Sequence, residues 1–298
     1  MTASRFEIAL PAGYRPDDAL AFHGRDVLQL AEQVERTGRP TIRKGVVLDG
    51  VPVLLRIDIG EGRALCTVDA AEPGARVGAL ASDAVVGMLG LRIDPAPFAL
   101  AVRDDALLGP LVRARPGLRV IQSATIFEAL TWAIIGQQIN LSFALALRRS
   151  FIEQAGRRHP DGLWCYPAAP DVARLDPEQL TGRKFSRAKA DTLLRLARLA
   201  ADGALPLARD ADPADVAEHL LAVKGIGPWT VNYALLRGWG HPDCSLHGDV
   251  AVRSAIARLR GLPAKPTLQE AESILQAYRP HRTMAAAYLW TSADMPTD

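Results

Sequence analysis

The apolar residues of this chain change period once, and that change divides it. Before residue 115 they fall in short alternating runs. Thr41 to Leu48 and Val51 to Ile59 flank Asp49-Gly50, a dipeptide favoured in two-residue hairpin turns, and Gly60-Glu61-Gly62 offers a second turn before Arg63 to Val68. An antiparallel meander follows from that pattern. A short helix-like stretch from Asp17 to Glu35 precedes it, and two stretches of helical period, Val77 to Leu91 and Pro97 to Ala114, come after it. The second ends at Arg115-Pro116-Gly117, where Pro and Gly punctuate the chain. From Ser123 onward the pattern is helices separated by short Gly, Pro and Asp breaks. The expected fold class is α+β: an N-terminal antiparallel-sheet α/β domain over 1–114, then an all-α domain over 115–298, with two helical lobes around a cleft.

Within the second domain, Ala124 to Ile135 and Leu141 to Ala155 read as helices with buried faces, joined through Gly136-Gln137-Gln138. Ser186 stands at the N-cap of a basic helix from Arg187 to Ala201. Further helices are predicted at Pro213 to Val223, Trp229 to Arg237, Val250 to Leu259, Leu268 to Tyr278 and Arg282 to Ser292.

Composition narrows the function classes. With 35 Lys and Arg against 33 Asp and Glu, the formal net charge is +2, so any binding to nucleic acid has to come from local placement of charge. Met1 to Pro11 carries no basic region followed by an apolar run, and no later segment reaches the length of an uncharged membrane span, so the expectation is a cytosolic protein without a membrane partner. The three cysteines, Cys66, Cys165 and Cys244, suit reduced thiols and are one short of the four thiolates of a Cys-ligated iron–sulfur cluster.

The most informative stretch is Leu220 to Asn232, where an apolar helix end runs through Lys224-Gly225-Ile226-Gly227-Pro228-Trp229-Thr230 into another helix. Two glycines around one apolar residue allow positive φ and close approach of a ligand, and Pro228 suits the first position of the following helix. Amides at such a turn offer an anion site that a DNA phosphate fits with no base being read. Taken alone, the same residues also make an ordinary helix-to-helix turn.

Downstream, Ser245-Leu246-His247-Gly248-Asp249 enters an amphipathic helix beginning Val250-Ala251-Val252-Arg253. A carboxylate at a helix start accepts backbone N–H bonds and feels the helix dipole, both of which favour its charged form. Glycoside cleavage uses such a group, because departure of a base builds positive charge on the sugar. Plain N-capping explains Asp249 equally simply. A competing cluster, His241, Cys244, His247 and Asp249, offers zinc donors within nine positions, but tetrahedral sites usually draw on two separated pairs, and no zinc is expected.

A Gly-Ile-Gly hairpin followed by Trp-Thr-x-Asn-Tyr and a downstream Asp resembles the helix-hairpin-helix DNA glycosylase superfamily, and within it the bacterial DNA-3-methyladenine glycosylase II family. The resemblance extends from Arg115-Pro116-Gly117-Leu118-Arg119 through Ala133-Ile134-Ile135-Gly136-Gln137 to His281-Arg282 and Trp290. It implies that Asp249 is the catalytic aspartate. Gly225, Ile226, Gly227 and Thr230 would then bind DNA, and the main-chain carbonyls of Leu221, Val223 and Ile226 would hold a monovalent cation. It further implies that Phe22, Trp229, Tyr233 and Trp290 line the cleft, where electron-rich faces suit a cationic methylated purine. Lyase-type relatives carry a lysine nucleophile two residues past the second glycine, where this chain has Trp229, so water is the expected nucleophile and no Schiff base forms. The DNA partner would be duplex containing damaged bases, bound by a monomer at the nucleoid, with no cofactor required.

Two positions depart from the family pattern. Gln138 stands where a relative has an apolar wedge and is the candidate to fill the space of the extruded base, with Gln137 either beside it on DNA or bridging the two helices. Val250 replaces an aromatic residue after the aspartate. The basic residues Arg183, Lys184, Arg187 and Lys189 form either a DNA-facing patch or a solvated helix face. The alternative to an enzyme is a non-catalytic helix-hairpin-helix protein that only holds DNA.

Overall fold

The computed structural model describes residues 2–71 and 74–292. Strands β1 (Thr2–Ala9), β2 (Glu32–Glu35), β3 (Thr41–Leu48), β4 (Val51–Ile59) and β5 (Arg63–Ala70) form an antiparallel sheet in the order β1-β5-β4-β3-β2, with α1 (Pro16–His23) between the first two. Asp49 and Gly50 both take positive φ, 49° and 76°, as a tight primed turn between twisted strands requires, and set the Leu48–Val51 register. The stretch expected to be one helix from Asp17 to Glu35 splits. Helix α1 ends at Gly24, and Glu32–Glu35 is drawn into the sheet edge by pairing with β3. Helix α2 (Ala75–Met88) covers the sheet with Val77, Ala81, Ala84, Val85 and Met88.

The stretch from Pro97 to Ala114 is two short helices, α3 (Ala96–Ala101) and α4 (Gly109–Ala114). The Asp105 carboxylate accepts from the amides of Leu107 and Leu108 at 2.9 and 2.7 Å, which breaks the helical run. Phe98, Leu108 and Leu111 are buried in the large core shared with Tyr288, while Ile121 and Ala124, beyond residue 115, are buried in the core of the sheet and α2.

The remaining elements are α5 (Ile126–Gly136), α6 (Leu141–Ala155), a two-residue hairpin of β6 (Arg157–Arg158) and β7 (Trp164–Cys165), α7 (Ala169–Ala173), α8 (Pro177–Thr181), α9 (Arg187–Ala201), α10 (Pro213–Leu221), α11 (Pro228–Ala234), α12 (Val250–Leu259), α13 (Leu268–Gln276) and α14 (Arg282–Thr291). A π-helical turn, Leu235–Trp239, continues α11. The second region is therefore helical apart from the β6–β7 hairpin, whose strands are too short to leave a period in the sequence. Every residue of α5 from Ile126 to Ile135 is buried, which places it at the centre of the helices.

A buried cluster of charges joins sheet to helices. Lys44 of β3 reaches Glu32 of β2 at 2.5 Å and Glu128 of α5 at 2.6 Å, while Arg148 of α6 reaches Glu32 at 3.0 Å and Glu128 at 2.7 Å. Two cations and two anions cancel, and the Tyr166 ring lies 5.2 Å from the Lys44 ammonium and 5.0 Å from the Arg148 guanidinium. Such a network gains little over a well-packed apolar one, but removing one member strands a buried charge at about 3–5 kcal/mol. Its consequence is positional, since it fixes the α1–β2 segment, with Phe22, against the helices.

Candidate active site

The hairpin between α10 and α11 is shaped by Gly225. Its φ is 98°, and a Cβ added there would lie 2.1 Å from Thr192 Oγ1, so only glycine lets α9 pack this close. Thr192 Oγ1 and Arg195 Nη1 both donate to the Lys224 carbonyl, at 3.3 and 3.2 Å, tying the turn to α9. The Ile226 side chain is buried and its amide donates to the Val223 carbonyl at 3.0 Å. Among the described residues the amides of Gly225 and Gly227 have no protein acceptor. The amides available to an anion are thus those of the glycines, and Ile226 serves as the apolar anchor between them.

Gln137, read from the sequence either as a DNA contact or as a bridge between two helices, and Thr230, read as a DNA contact, fasten this hairpin to the α5–α6 loop. Gln137 Nε2 donates to the Gly225 carbonyl at 3.0 Å and to Thr230 Oγ1 at 2.9 Å, and Thr230 is 2% exposed. The Thr230 side chain faces inward because it sits on the side of α11 packed against α5. Lys189 is also redirected: Nζ donates to the carbonyls of Ile135 and Gln137 at 2.7 and 3.1 Å, closing the C-terminal end of α5, and partial burial pulls its ammonium below the usual lysine range. Arg183, Lys184 and Arg187 remain exposed. Gln138 is exposed with φ 56°, a conformation that turns this one residue out of the loop.

Asp249 caps α12 and collects three N–H donors. Oδ1 accepts from the Val252 amide at 3.0 Å and from Trp290 Nε1 at 3.2 Å, and Oδ2 accepts from Trp229 Nε1 at 2.9 Å. The loop that delivers it is pinned from both sides. Asn232 Oδ1 accepts from the Ser245 amide at 2.9 Å, and Arg282 grips Asp243 through Nε at 2.7 Å and Nη2 at 2.8 Å. Arg282 beside it holds the Asp243 carboxyl low against the upward push of burial. Among the described residues no group of three His, Cys, Asp or Glu side chains converges in a way that could hold a metal ion. Cys244 is buried and His247 Nδ1 lies 2.9 Å from Ser245 Oγ.

A cleft of about 770 Å³ runs between Gly136–Asn140, the hairpin at Gly225, Gly227 and Trp229, and Gly248–Ala251, with Asp249 and the exposed Val250 on its wall. Of the four aromatic residues expected there, Trp229 lies on the wall, and Tyr233, Trp290 and Phe22 cluster next to it. Trp229 stacks on Tyr233 at 5.1 Å, Tyr233 meets Trp290 at 6.1 Å, and Phe22 closes the group from α1. Three further members escaped the sequence reasoning. Trp132 Nε1 donates to the Tyr233 hydroxyl at 3.1 Å. The Arg237 guanidinium lies 5.1 Å from the Trp290 ring centre and 4.7 Å from that of Phe22. The Arg25 guanidinium lies 4.0 Å from Phe22 and 4.5 Å from Trp132. For Arg237 the signal was its spacing of four from Tyr233 on one helical face. No local pattern marks Arg25 or Trp132.

A hairpin offering main-chain amides, a fixed carboxylate one helix away and an aromatic wall beside it define a protein that grips a polyanion and acts on a flat ring. The matching family model is that of the HhH-GPD superfamily base excision DNA repair protein, over residues 131–280, half of the chain, and this protein belongs to that family. A DNA-3-methyladenine glycosylase of Bacillus subtilis (strain 168) is 35% identical over 202 residues, 66% of this chain and 67% of that one. The DNA-3-methyladenine glycosylase 2 of Escherichia coli (strain K12) is 31% identical over 188 residues, 62% of this chain and 64% of the relative. Sequence similarity thus spans about two-thirds of the length of these relatives. A solved 3-methyladenine DNA-glycosylase from Archaeoglobus fulgidus shares the fold along nearly the whole chain, with a TM-score of 0.81, 21% identity, and coverage of 97% of this chain and 98% of that one. Among the described residues no helix is long and apolar enough to cross a membrane.

Proposed function

We propose that this protein is a monofunctional alkylbase DNA glycosylase of base excision repair, which extrudes a methylated purine from duplex DNA and hydrolyses its N-glycosidic bond with Asp249. The observation that carries the assignment is the Asp249 carboxylate on the cleft wall, held by two indole N–H groups, from Trp229, which lines the same cleft, and from Trp290. Relatives named for 3-methyladenine release support the substrate class.

The Gly225 and Gly227 amides hold a phosphate, and Gln138 enters the stack in place of the extruded base. As the C1′–N bond breaks, its electron pair leaves with the base and positive charge grows on the sugar. The carboxylate stabilises that charge, and water adds at C1′, its proton passing to Asp249 or solvent. A base methylated at N3 or N7 departs neutral, so no general acid is required. Trp229 occupies the position of the lyase nucleophile, and the nearby Lys224 is exposed ahead of the hairpin, so the assignment includes no Schiff base. The carbonyls of Leu221, Val223 and Ile226 lie at and just beyond the C-terminal end of α10, where its dipole is negative, and would hold a monovalent cation that stiffens the turn. No other cofactor is required.

The test is release of methylated bases from alkylated duplex by the wild type beside Asp249→Asn. Release by the wild type, its fall by about 10²–10³ in the variant and unchanged DNA affinity are expected. No release by the wild type from any alkylated duplex would reassign the chain as a non-catalytic DNA-binding protein. A covalent adduct trapped by borohydride would contradict monofunctional hydrolysis.

A further inference from the structure

The hairpin and the carboxylate belong to separate stretches of chain, and two side chains of α11 join them. Asn232 Oδ1 accepts from the Ser245 amide at 2.9 Å, while its Nδ2 donates to the Pro228 carbonyl, one turn back towards the hairpin, at 2.9 Å. Trp229, three residues earlier, donates to Asp249 Oδ2 at 2.9 Å. Ser245 and Leu246 are buried, and the Asp249 amide closes a turn on the Leu246 carbonyl at 2.9 Å, so the short loop moves as a piece. One bond between a helix and a loop sets a distance and leaves a pivot, whereas bonds at both ends of the loop also set a direction. Asparagine suits this place because its partners ask opposite things of it: the amide of a buried residue needs an acceptor, and a carbonyl takes a donor. Among the described residues nothing else accepts from the Ser245 amide, and the Ser245 hydroxyl is engaged with His247 Nδ1 at 2.9 Å.

We propose that Asn232 is a positioning residue for base release: with Trp229 it makes α11 and the Ser245–Asp249 loop one body, so that a phosphate gripped at Gly227, the N-cap of α11, fixes where the carboxylate stands at the sugar. The inference rests on the base-excision assignment made above. Asn232 does not line the cleft, so its effect passes through Asp249. A misplacement of about 1 Å at a reacting group costs on the order of 10²-fold in rate, and a bond that only holds a loop therefore carries weight in the chemical step.

The experiment is a double-variant cycle, read as single-turnover release of 7-methylguanine from one duplex at a temperature well below every melting point. Asn232→Leu, similar in size but with no donor or acceptor, is expected to slow release about ten- to hundredfold, with affinity for the undamaged duplex held within about threefold. Asn232→Asp keeps the acceptor and loses only the donor, and its rate is expected to lie between those of Asn232→Leu and the wild type. In the Asp249→Asn background, Asn232→Leu is expected to slow release by less than about threefold, because no carboxylate is left to misplace. A merely structural role would leave the rate of the folded protein unchanged, and a role independent of Asp249 would give losses that multiply; either overturns the proposal, as does a loss confined to affinity. Asn232→Ala takes the same place in the cycle if Asn232→Leu does not fold. A wild type that releases no methylated base from any alkylated duplex overturns the glycosylase assignment itself, and this inference with it.

Discussion

Trp229 donates its indole N–H to Asp249 Oδ2 at 2.9 Å while its ring stacks on Tyr233 at 5.1 Å, so one side chain both walls the cleft and orients the carboxylate.

Because the two roles of Trp229 are separable, Trp229→Phe keeps the stacking and deletes the donor. The rate of base release is expected to fall about 10- to 100-fold, the weight of one hydrogen bond to a charged group, with DNA affinity unchanged within about threefold. Single-turnover kinetics beside a binding titration checks this; a loss confined to affinity would place Trp229 in the wall only.

Gly225 meets two constraints at once, a φ of 98° and the Thr192 hydroxyl 2.1 Å from any added Cβ. Gly225→Ala is expected to cost about 1–3 kcal/mol for the backbone alone and more for the clash, and to weaken DNA binding at least tenfold through the displaced amides. Thr192→Ala in the same chain relieves the clash with the hydroxyl and methyl and leaves the backbone cost, so the double variant should recover part of the loss in thermal denaturation. Full recovery would show that φ carries none of it.

Lys189 separates stability from DNA binding. Since its ammonium is spent on the carbonyls of Ile135 and Gln137, Lys189→Met is expected to lower stability by about 1–3 kcal/mol while leaving the salt dependence of DNA affinity as it is. Charge-removing changes at Arg183 or Lys184 should lower the slope of log K against log salt by about 0.9 for each phosphate that is no longer neutralised. A reduced slope in the Lys189 variant would return that residue to the DNA-facing patch.

Acid sensitivity begins at His23. Burial pulls its imidazole from 6.5 to about 4, and Nε2 lies 3.1 Å from the Met88 carbonyl. Between those values the unfolded chain binds more protons than the folded one, so stability is full above pH 6.5, falls as pH drops through that value, and levels off below about 4. The loss is about 3 kcal/mol at most. His23→Gln should flatten the melting temperature between pH 7 and 5. Glu32 and Glu128 act lower: burial alone would raise both carboxyls, but Arg148 and Lys44 hold them well below the usual range, and their contribution is lost only as pH falls below 4.5.

Local patterns in the chain were enough for the elements that local chemistry builds. Asp49-Gly50 set a hairpin and its register, Ser186 and Asp249 set helix starts, and Trp229 and Tyr233, four apart on one helix, had to share a face. Each of these depends on residues within a turn or two of one another, so the sequence alone determines them. The N-terminal edge was beyond it. Strand β1 forms by pairing with β5 some sixty residues away, and β2 exists because β3 offers it an edge, against the helical stretch its own residues suggested.

The site divides in the same way. That Asp249 would cap a helix was written in its neighbours, whereas its meeting with two indoles, one 20 and the other 41 residues away, was settled by how α11 and α14 pack against the loop. Lys189 and Thr230 looked like surface chemistry and were turned inward, since the carbonyl ends of α5 and the Gln137 amide needed partners once buried. Arg25 reaches the Trp132 ring because the buried Lys44, Glu32, Glu128 and Arg148 cluster locks the α1–β2 segment to α5 and α6. A charge's partner is a matter of three-dimensional distance and dielectric, and neither is a property of chain order.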